Sequence, residues 1–312
     1  MISKKSKIYV AGHSGMVGSA IIRKLKNEGF DNLIIRTSKE LDLRNQKKTN
    51  SFIVDEKPDF IIDAAAIVGG IWANNQYPYK FLMDNMLIQN NLIKAAVENK
   101  IENFIFLGSS CIYPKLAPQP LKEEYLLNLP LEESNQWYAI AKISGVKLIE
   151  AIQKEFGYNY FALMPTNLYG PNDNFDPMTS HVLPGMITKI HKAKMEKQNS
   201  VILWGDGSPK REFLHVDDLA NAVNFSLNLK LKDHLYNVGS YDEISILELS
   251  NLIAQIIGYK GKVIWDKTYP NGTPRKKLDS TRFTSLGWKP KINLKKGIIE
   301  TYEKFKLTSG ED

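Results

Sequence analysis

Short apolar runs rich in β-branched residues alternate along the first half with longer stretches of helical spacing. Residues 7–11 (KIYVA) form the first run, and glycines follow at once. Val17, Ala20, Ile21 and Leu25 then recur three to four apart, which predicts a helix over 16–27. Runs at 32–36 (NLIIR), 60–65 (FIIDAA), 103–107 (NFIFL) and 160–164 predict four more strands. Between them, 81–99 carries Leu82, Met86, Ile88, Leu92, Ala95 and Ala96 on one side, and 137–156 is a second long helix. Strands that are apolar throughout are covered on both faces, the condition of a parallel sheet. Right-handed crossovers wind such a sheet both ways, so the expected class is α/β, a Rossmann-type doubly wound parallel sheet.

After Pro165 the pattern loosens. Gly170, Pro171, Pro177 and Pro184 punctuate a loop-rich stretch, and short elements follow at 201–204, 216–229, 235–238 and 246–257. Ser245 is expected to cap the last of these, with Glu248 as its reciprocal partner. The expected division is a nucleotide-binding domain over 1–170, with returning segments near 211–240, and a smaller substrate-binding α/β domain that is mainly 171–312. The tail 309–312 is expected to fray.

A chain of 312 residues suggests about two domains and buries enough surface to need no staple. The single cysteine, Cys111, excludes an intrachain disulfide and a thiolate metal cluster, so no metal is expected and a reducing, cytoplasmic setting is. The longest apolar run, 64–73, is about half a membrane span, and the basic N-terminus leads into no signal-peptide core; no membrane association is expected. The net charge of +7 is spread along the chain without a block of like charges. It suits an anionic small molecule, and no nucleic-acid partner is expected.

Candidate chemistry begins where the first strand meets Gly12-His13-Ser14-Gly15-Met16-Val17-Gly18. A glycine turn between a strand and a helix lets the backbone approach a pyrophosphate, which sits at the helix N-terminus. The second strand ends in Arg36-Thr37-Ser38-Lys39, with no carboxylate before Glu40. Cations and hydroxyls there suit a 2′-phosphate, so NADP is expected over NAD, with Arg36, Ser38 and Lys39 as its contacts. Tyr138 and Lys142 lie four apart, on one face of a helix. A phenol has a pKa of about 10, and an ammonium beside it is expected to lower that value. Ser109, just past the fourth strand, faces the crevice where such sheets bind ligands and could hold a carbonyl oxygen.

Together these residues resemble the extended short-chain dehydrogenase/reductase family over nearly the whole chain. Seven segments are more specific: 11–20 (AGHSGMVGSA), 64–75 (AAAIVGGIWANN), 107–117 (LGSSCIYPKLA), 138–142 (YAIAK), 164–175 (MPTNLYGPNDNF), 180–185 (SHVLPG) and 211–220 (REFLHVDDLA). They are similar to the branch that epimerises and reduces GDP-linked 4-keto-6-deoxy sugars. The resemblance implies NADPH, inversion at C3 and C5 of GDP-4-keto-6-deoxy-D-mannose, reduction at C4, and a homodimer. It implies Cys111 as the base and His181 as the acid of epimerisation. A thiol and an imidazole titrate close enough to neutrality for those duties. It implies further cofactor contacts at Ala64, Leu107, Gly108, Pro165, Asn167, Leu168 and His181. Substrate contacts are implied at Ser109, Ser110, Asn167, Lys189, Trp204, Arg211 and Arg275. The chain departs from many bacterial relatives at Ser14 and Ser38, where they carry arginine, and at Ile67, where they carry lysine. Two other readings stay open: a sister enzyme reducing a GDP-linked keto-heptose, with or without epimerisation, and a non-catalytic regulator on the same scaffold.

Overall fold

The computed structural model describes residues 2–309, so the expectation for the tail falls almost wholly outside the described residues. Six parallel strands form the main sheet: β1 (Ile8–Ala11), β2 (Leu33–Ile34), β3 (Phe60–Asp63), β4 (Asn103–Leu107), β5 (Asn159–Pro165) and, late in the chain, Leu235–Val238. The order across the sheet is β2-β1-β3-β4-β5, with the late strand outside β5. Alternate residues feed two cores. Tyr9, Ile61, Phe104, Phe106 and Tyr160 pack to one side; Ile8, Val10, Phe60, Ile62, Ile105 and Phe161 pack to the other. That two-sided burial is what makes these strands apolar along their whole length.

Helices cover both faces. α1 (Met16–Asn27) lies on the second core, and α2 (Gln46–Glu56), α3 (Ile71–Gln76), α4 (Pro78–Glu98) and α5 (Gln136–Phe156) follow in chain order. α2 escapes the sequence pattern because only its last turns bury apolar side chains; the Asn45 side chain starts it by accepting from the Lys48 N–H at 3.1 Å. β2 is shorter than its apolar run, since only Leu33 and Ile34 pair with β1.

The second half builds smaller layers. β6 (Asn167–Tyr169) pairs with β8 (Lys210–His215), and β7 (Ser200–Trp204) pairs with a strand described below. α6 (Val182–Met195) precedes β7, and α7 (Val216–Ser226) follows β8 and ends three residues short of expectation. α7 and β9 (Leu235–Val238) return to the large sheet, whereas β8 stays with the small one. β10 (Glu243–Ser245), β11 (Lys262–Asp266) and β12 (Arg275–Lys276) complete it: β10 and β12 flank β8, and β11 pairs with β7. α8 (Ile246–Ile257) starts in the expected capping box, with Ser245 and Glu248 bonded reciprocally. α9 (Thr281–Thr284) and α10 (Leu294–Ser309) close the chain, and Leu183, Ile187, Leu203, Leu249, Ile253 and Ile298 form a third core. Among the described residues no helix is long and apolar enough to cross a membrane.

Strand order reverses between β1 and β3. In open α/β sheets ligands bind at such a reversal, outside the carboxyl ends of the strands.

Candidate active site

The chain leaves β1 through Gly12, whose φ of 75° suits glycine. A Cβ on Gly12 would lie 2.6 Å from the Ala64 carbonyl oxygen, and one on Gly18 would lie 2.1 Å from that of Gly12. Those two glycines are demanded by the chain's own packing. Gly15 is different: it is exposed, and a Cβ there would meet nothing nearer than the Gly12 oxygen at 3.6 Å. It stands at the N-terminus of α1, whose first turn has no carboxylate and no side-chain cap. The first intrahelical bond runs from Ser19 N–H to the Gly15 oxygen, so the N–H groups of Met16, Val17 and Gly18 have no partner within the helix. Open space, unclaimed donors and the positive end of the dipole fit a pyrophosphate. Ser14 is exposed beside it.

The end of β2 offers a cation already engaged. The Arg36 guanidinium bonds Glu56 Oε1 at 2.7 Å and lies 5.4 Å from the centre of the Phe52 ring. Ser38 and Lys39 are exposed. The Glu40 carboxylate is turned into its own loop, where Thr37 donates from N and Oγ1 and holds its pKa below the ordinary value. Glu40 therefore stays ionised, bonded within its own loop.

Ala64, Leu107, Gly108, Pro165, Asn167 and Leu168 all lie at the carboxyl ends of β3, β4 and β5 or at the start of β6. Ala64 donates its N–H to Ala11, and Asn167 donates its amide to the Glu212 carbonyl at 2.7 Å. Gly108 sits against the Met164 side chain, which leaves no room for a Cβ.

Tyr138 and Lys142 occupy one face of α5, as their spacing requires. The buried Lys142 Nζ donates to the Leu107 carbonyl at 2.9 Å and lies 5.9 Å from the centre of the Tyr138 ring. The expected lowering of the phenol pKa is not found. Burial pushes Tyr138 well up, and the neighbouring Cys111 adds to the rise. A phenol so placed is a proton donor that stays protonated at neutral pH. Lys142 itself is brought down to about 8 by burial, against the pull of Asp63. Ser109 Oγ accepts from the Cys111 N–H at 3.3 Å, within a turn of 3₁₀ helix, and Ser110 is buried behind it.

Cys111 is half-buried, and Lys276 Nζ lies 3.5 Å from its Sγ. His181 is at the N-terminus of α6, in a loop tied over the crevice by the Gly70 N–H donating to the Thr179 oxygen. The residue keeps some exposure, and desolvation of its ring, with the Lys276 ammonium, lowers its pKa. Thus Tyr138, Cys111, Lys276 and His181 form one electrostatic group. Arg211 belongs to it too: burial lowers its pKa to about 10, and Cys111 and Glu132 act the other way.

The remaining substrate candidates divide. Lys189 Nζ lies 3.9 Å from the centre of the Trp204 ring, which stacks on Tyr269 at 4.3 Å and 8°. Arg211 Nη2 donates to the Asn271 oxygen, in the same loop as Tyr269. Arg275 instead makes a two-pronged pair with Glu243, at 2.7 and 2.8 Å. β12 is only two residues long, and successive side chains in a strand face opposite ways. It is Lys276 that turns to Cys111. Lys276 and Tyr269 escape the sequence reading; the GTPRKK run is the one signal that a cation belonged here. Among the described residues no cluster of three metal-ligating side chains occurs.

The chain is 52% identical over 303 residues to GDP-L-fucose synthase 1 of Arabidopsis thaliana, covering 97% of this chain and 94% of that one. It is 46% identical to GDP-L-fucose synthase of Escherichia coli (strain K12), covering 96% and 97%. Among solved structures, MlghC, a GDP-mannoheptose C4 reductase from Campylobacter jejuni with NADP bound, superposes with a TM-score of 0.90 at 34% identity, covering 98% and 100%. Residues 8–239 match the NAD dependent epimerase/dehydratase family, and the chain belongs to that family of extended short-chain dehydrogenase/reductases.

Proposed function

We propose that the chain converts GDP-4-keto-6-deoxy-D-mannose to GDP-L-fucose by inversion at C3 and C5 followed by NADPH-dependent reduction at C4. The observation that carries this reading is the approach of Lys276 Nζ to Cys111 Sγ, in the crevice that also holds Tyr138.

The 4-keto group acidifies the hydrogens at C3 and C5. Cys111, as thiolate, removes each in turn, with the Lys276 ammonium beside its sulfur. His181 returns a proton to the opposite face of the enolate. Its lowered pKa makes it a willing donor once charged. Gly12 to Gly18, with Arg36, Ser38 and Lys39, would hold NADPH, which would supply a hydride for C4. Tyr138 then gives its phenolic proton to the C4 oxygen, Ser109 hydrogen-bonds the same oxygen, and Lys142 balances the phenolate left behind. Lys189, Trp204 and Arg211 hold the GDP portion by charge and ring contact. Met83 and Leu87 on α4 and Ile140 and Leu148 on α5 are exposed and apolar, which supports pairing of two copies through these helices. The reduced thiol suits the cytoplasm.

Incubation with GDP-4-keto-6-deoxymannose and NADPH should give a product of L-fuco configuration by NMR. A product reduced at C4 with C3 and C5 unchanged would overturn the reading. Higher kcat/KM on the seven-carbon counterpart would favour the heptose reductase instead, the reading that the C. jejuni neighbour supports.

A further inference from the structure

The steps above give no task to Asp63, a buried carboxylate. Asp63 ends β3 and is fully shielded from solvent. Its register partners are Ala11 on β1 and Phe106 on β4, so its side chain shares their face of the sheet. On that face Lys142 Nζ lies 4.6 Å from the centre of the Phe106 ring. Asp63 Oδ1 accepts from the Ala65 N–H at 3.1 Å, whereas Oδ2 is buried without a hydrogen-bond partner. A carboxylate oxygen left bare in an apolar layer is costly unless a cation answers it. The groups that face Asp63 are Lys142 from α5 and Tyr9 from β1, with Arg36 beyond Tyr9. Lys142 in turn faces Asp63, the Leu107 carbonyl and the Tyr138 ring, and Cys111 lies near enough to Tyr138 to raise its pKa.

We propose that Asp63 is a positioning residue for ketone reduction: its carboxylate is the counter-charge that keeps the Lys142 amine protonated in the dry end of the crevice. Burial alone disfavours the ammonium, and Asp63 is the group that opposes it. Burial likewise pushes Asp63 up to about 6, against the pull of Lys142. With Lys142 near 8, both groups are charged between those two values, the range in which the phenolate left on Tyr138 has a cation to balance it.

The direct test is NMR on protein carrying ¹³C at the lysine ε-carbons, with the Lys142 signal assigned by its loss in Lys142→Arg. In Asp63→Asn the midpoint of that titration should fall by about one unit, as expected for loss of a nearby opposite charge. Asp63→Leu, which suits the layer of Ala11 and Phe106, should show the same fall and serves if the asparagine variant does not fold. An unmoved midpoint overturns the proposal. The activity readout rests on the proposed function: the alkaline limb of kcat for reduction should move down with the lysine. Deuterium exchange at C3 and C5, which depends on Cys111 and His181, should keep its profile. Equal shifts in both processes would also overturn the assignment. A protein that reduces no GDP-linked ketone would refute the proposed function instead, and the lysine titration would still decide the role of Asp63.

Discussion

The large sheet and the small layers hold their chemistry in different ways. In the sheet, functional groups sit at the ends of strands whose pairing is continuous. Gly12 follows β1, Ala64 follows β3, and Ser109 follows β4 by two residues. Their positions follow from backbone register, and Lys142 is fixed against the Leu107 carbonyl at the end of β4. In the small layers the groups come from far-apart pieces of chain: His181 before α6, Arg211 on β8, Lys276 on β12. β12 joins β8 by two register pairs, Arg275 with Lys210 and Lys276 with Arg211. Under the proposed function, the sheet half holds the cofactor and the proton donor, while the small half brings cations to the substrate on short, separately tethered elements.

The sharpest test of that division is to disable one side and ask whether the other continues. Tyr138→Phe removes the proton donor of the sheet half and nothing from the small half. NADPH consumption should fall by about a hundred- to ten-thousandfold, the usual worth of general acid catalysis. Deuterium from solvent should still enter C3 and C5, as read by mass spectrometry. Loss of both together would mean that the halves do not act separately.

The same division explains what could be read from the chain alone. The 103–107 strand, the 16–27 helix and the Ser245–Glu248 cap follow from local pattern and recur unchanged in the structure. The 60–65 run also reads as an apolar strand, and that reading conceals Asp63: a buried carboxylate looks like any polar residue at a strand end until its neighbours are known. Arg275 and Lys276 show the other limit. Two adjacent cations in a loop-rich stretch are equivalent on paper. Only the pairing of β12 with β8, between residues more than sixty positions apart, decides which one reaches Cys111. α2 was invisible for a third reason, because a helix resting on the flank of the sheet needs few apolar side chains.

Lys276→Met probes the small half with a smaller expected effect. The apolar chain of methionine keeps the packing and deletes the charge. Exchange at C3 and C5 at neutral pH should drop about tenfold at saturating substrate, as the thiolate loses its counter-ion. Reduction of a ketone already inverted at both carbons should keep its kcat. A variant that exchanges deuterium at the normal rate would show that Lys276 does not serve Cys111. A change confined to KM would show that it serves the diphosphate instead.

The smallest effect is expected at the edge of the sheet, where the rule of rigid placement weakens. β2 pairs through two residues only, and Arg36 beyond it is held by Glu56 rather than by register. Glu56 therefore competes with any phosphate for that guanidinium. Both side chains are partly exposed, so the pair is worth at most about 1 kcal/mol. Glu56→Gln keeps the shape and removes the competing charge. KM for NADPH should fall by about two- to fivefold relative to KM for NADH, as that energy is released to the 2′-phosphate. An unchanged ratio would mean that Arg36 does not reach the phosphate. Selection between the two nicotinamide cofactors would then rest on Ser38 and Lys39, exposed residues of the same loop.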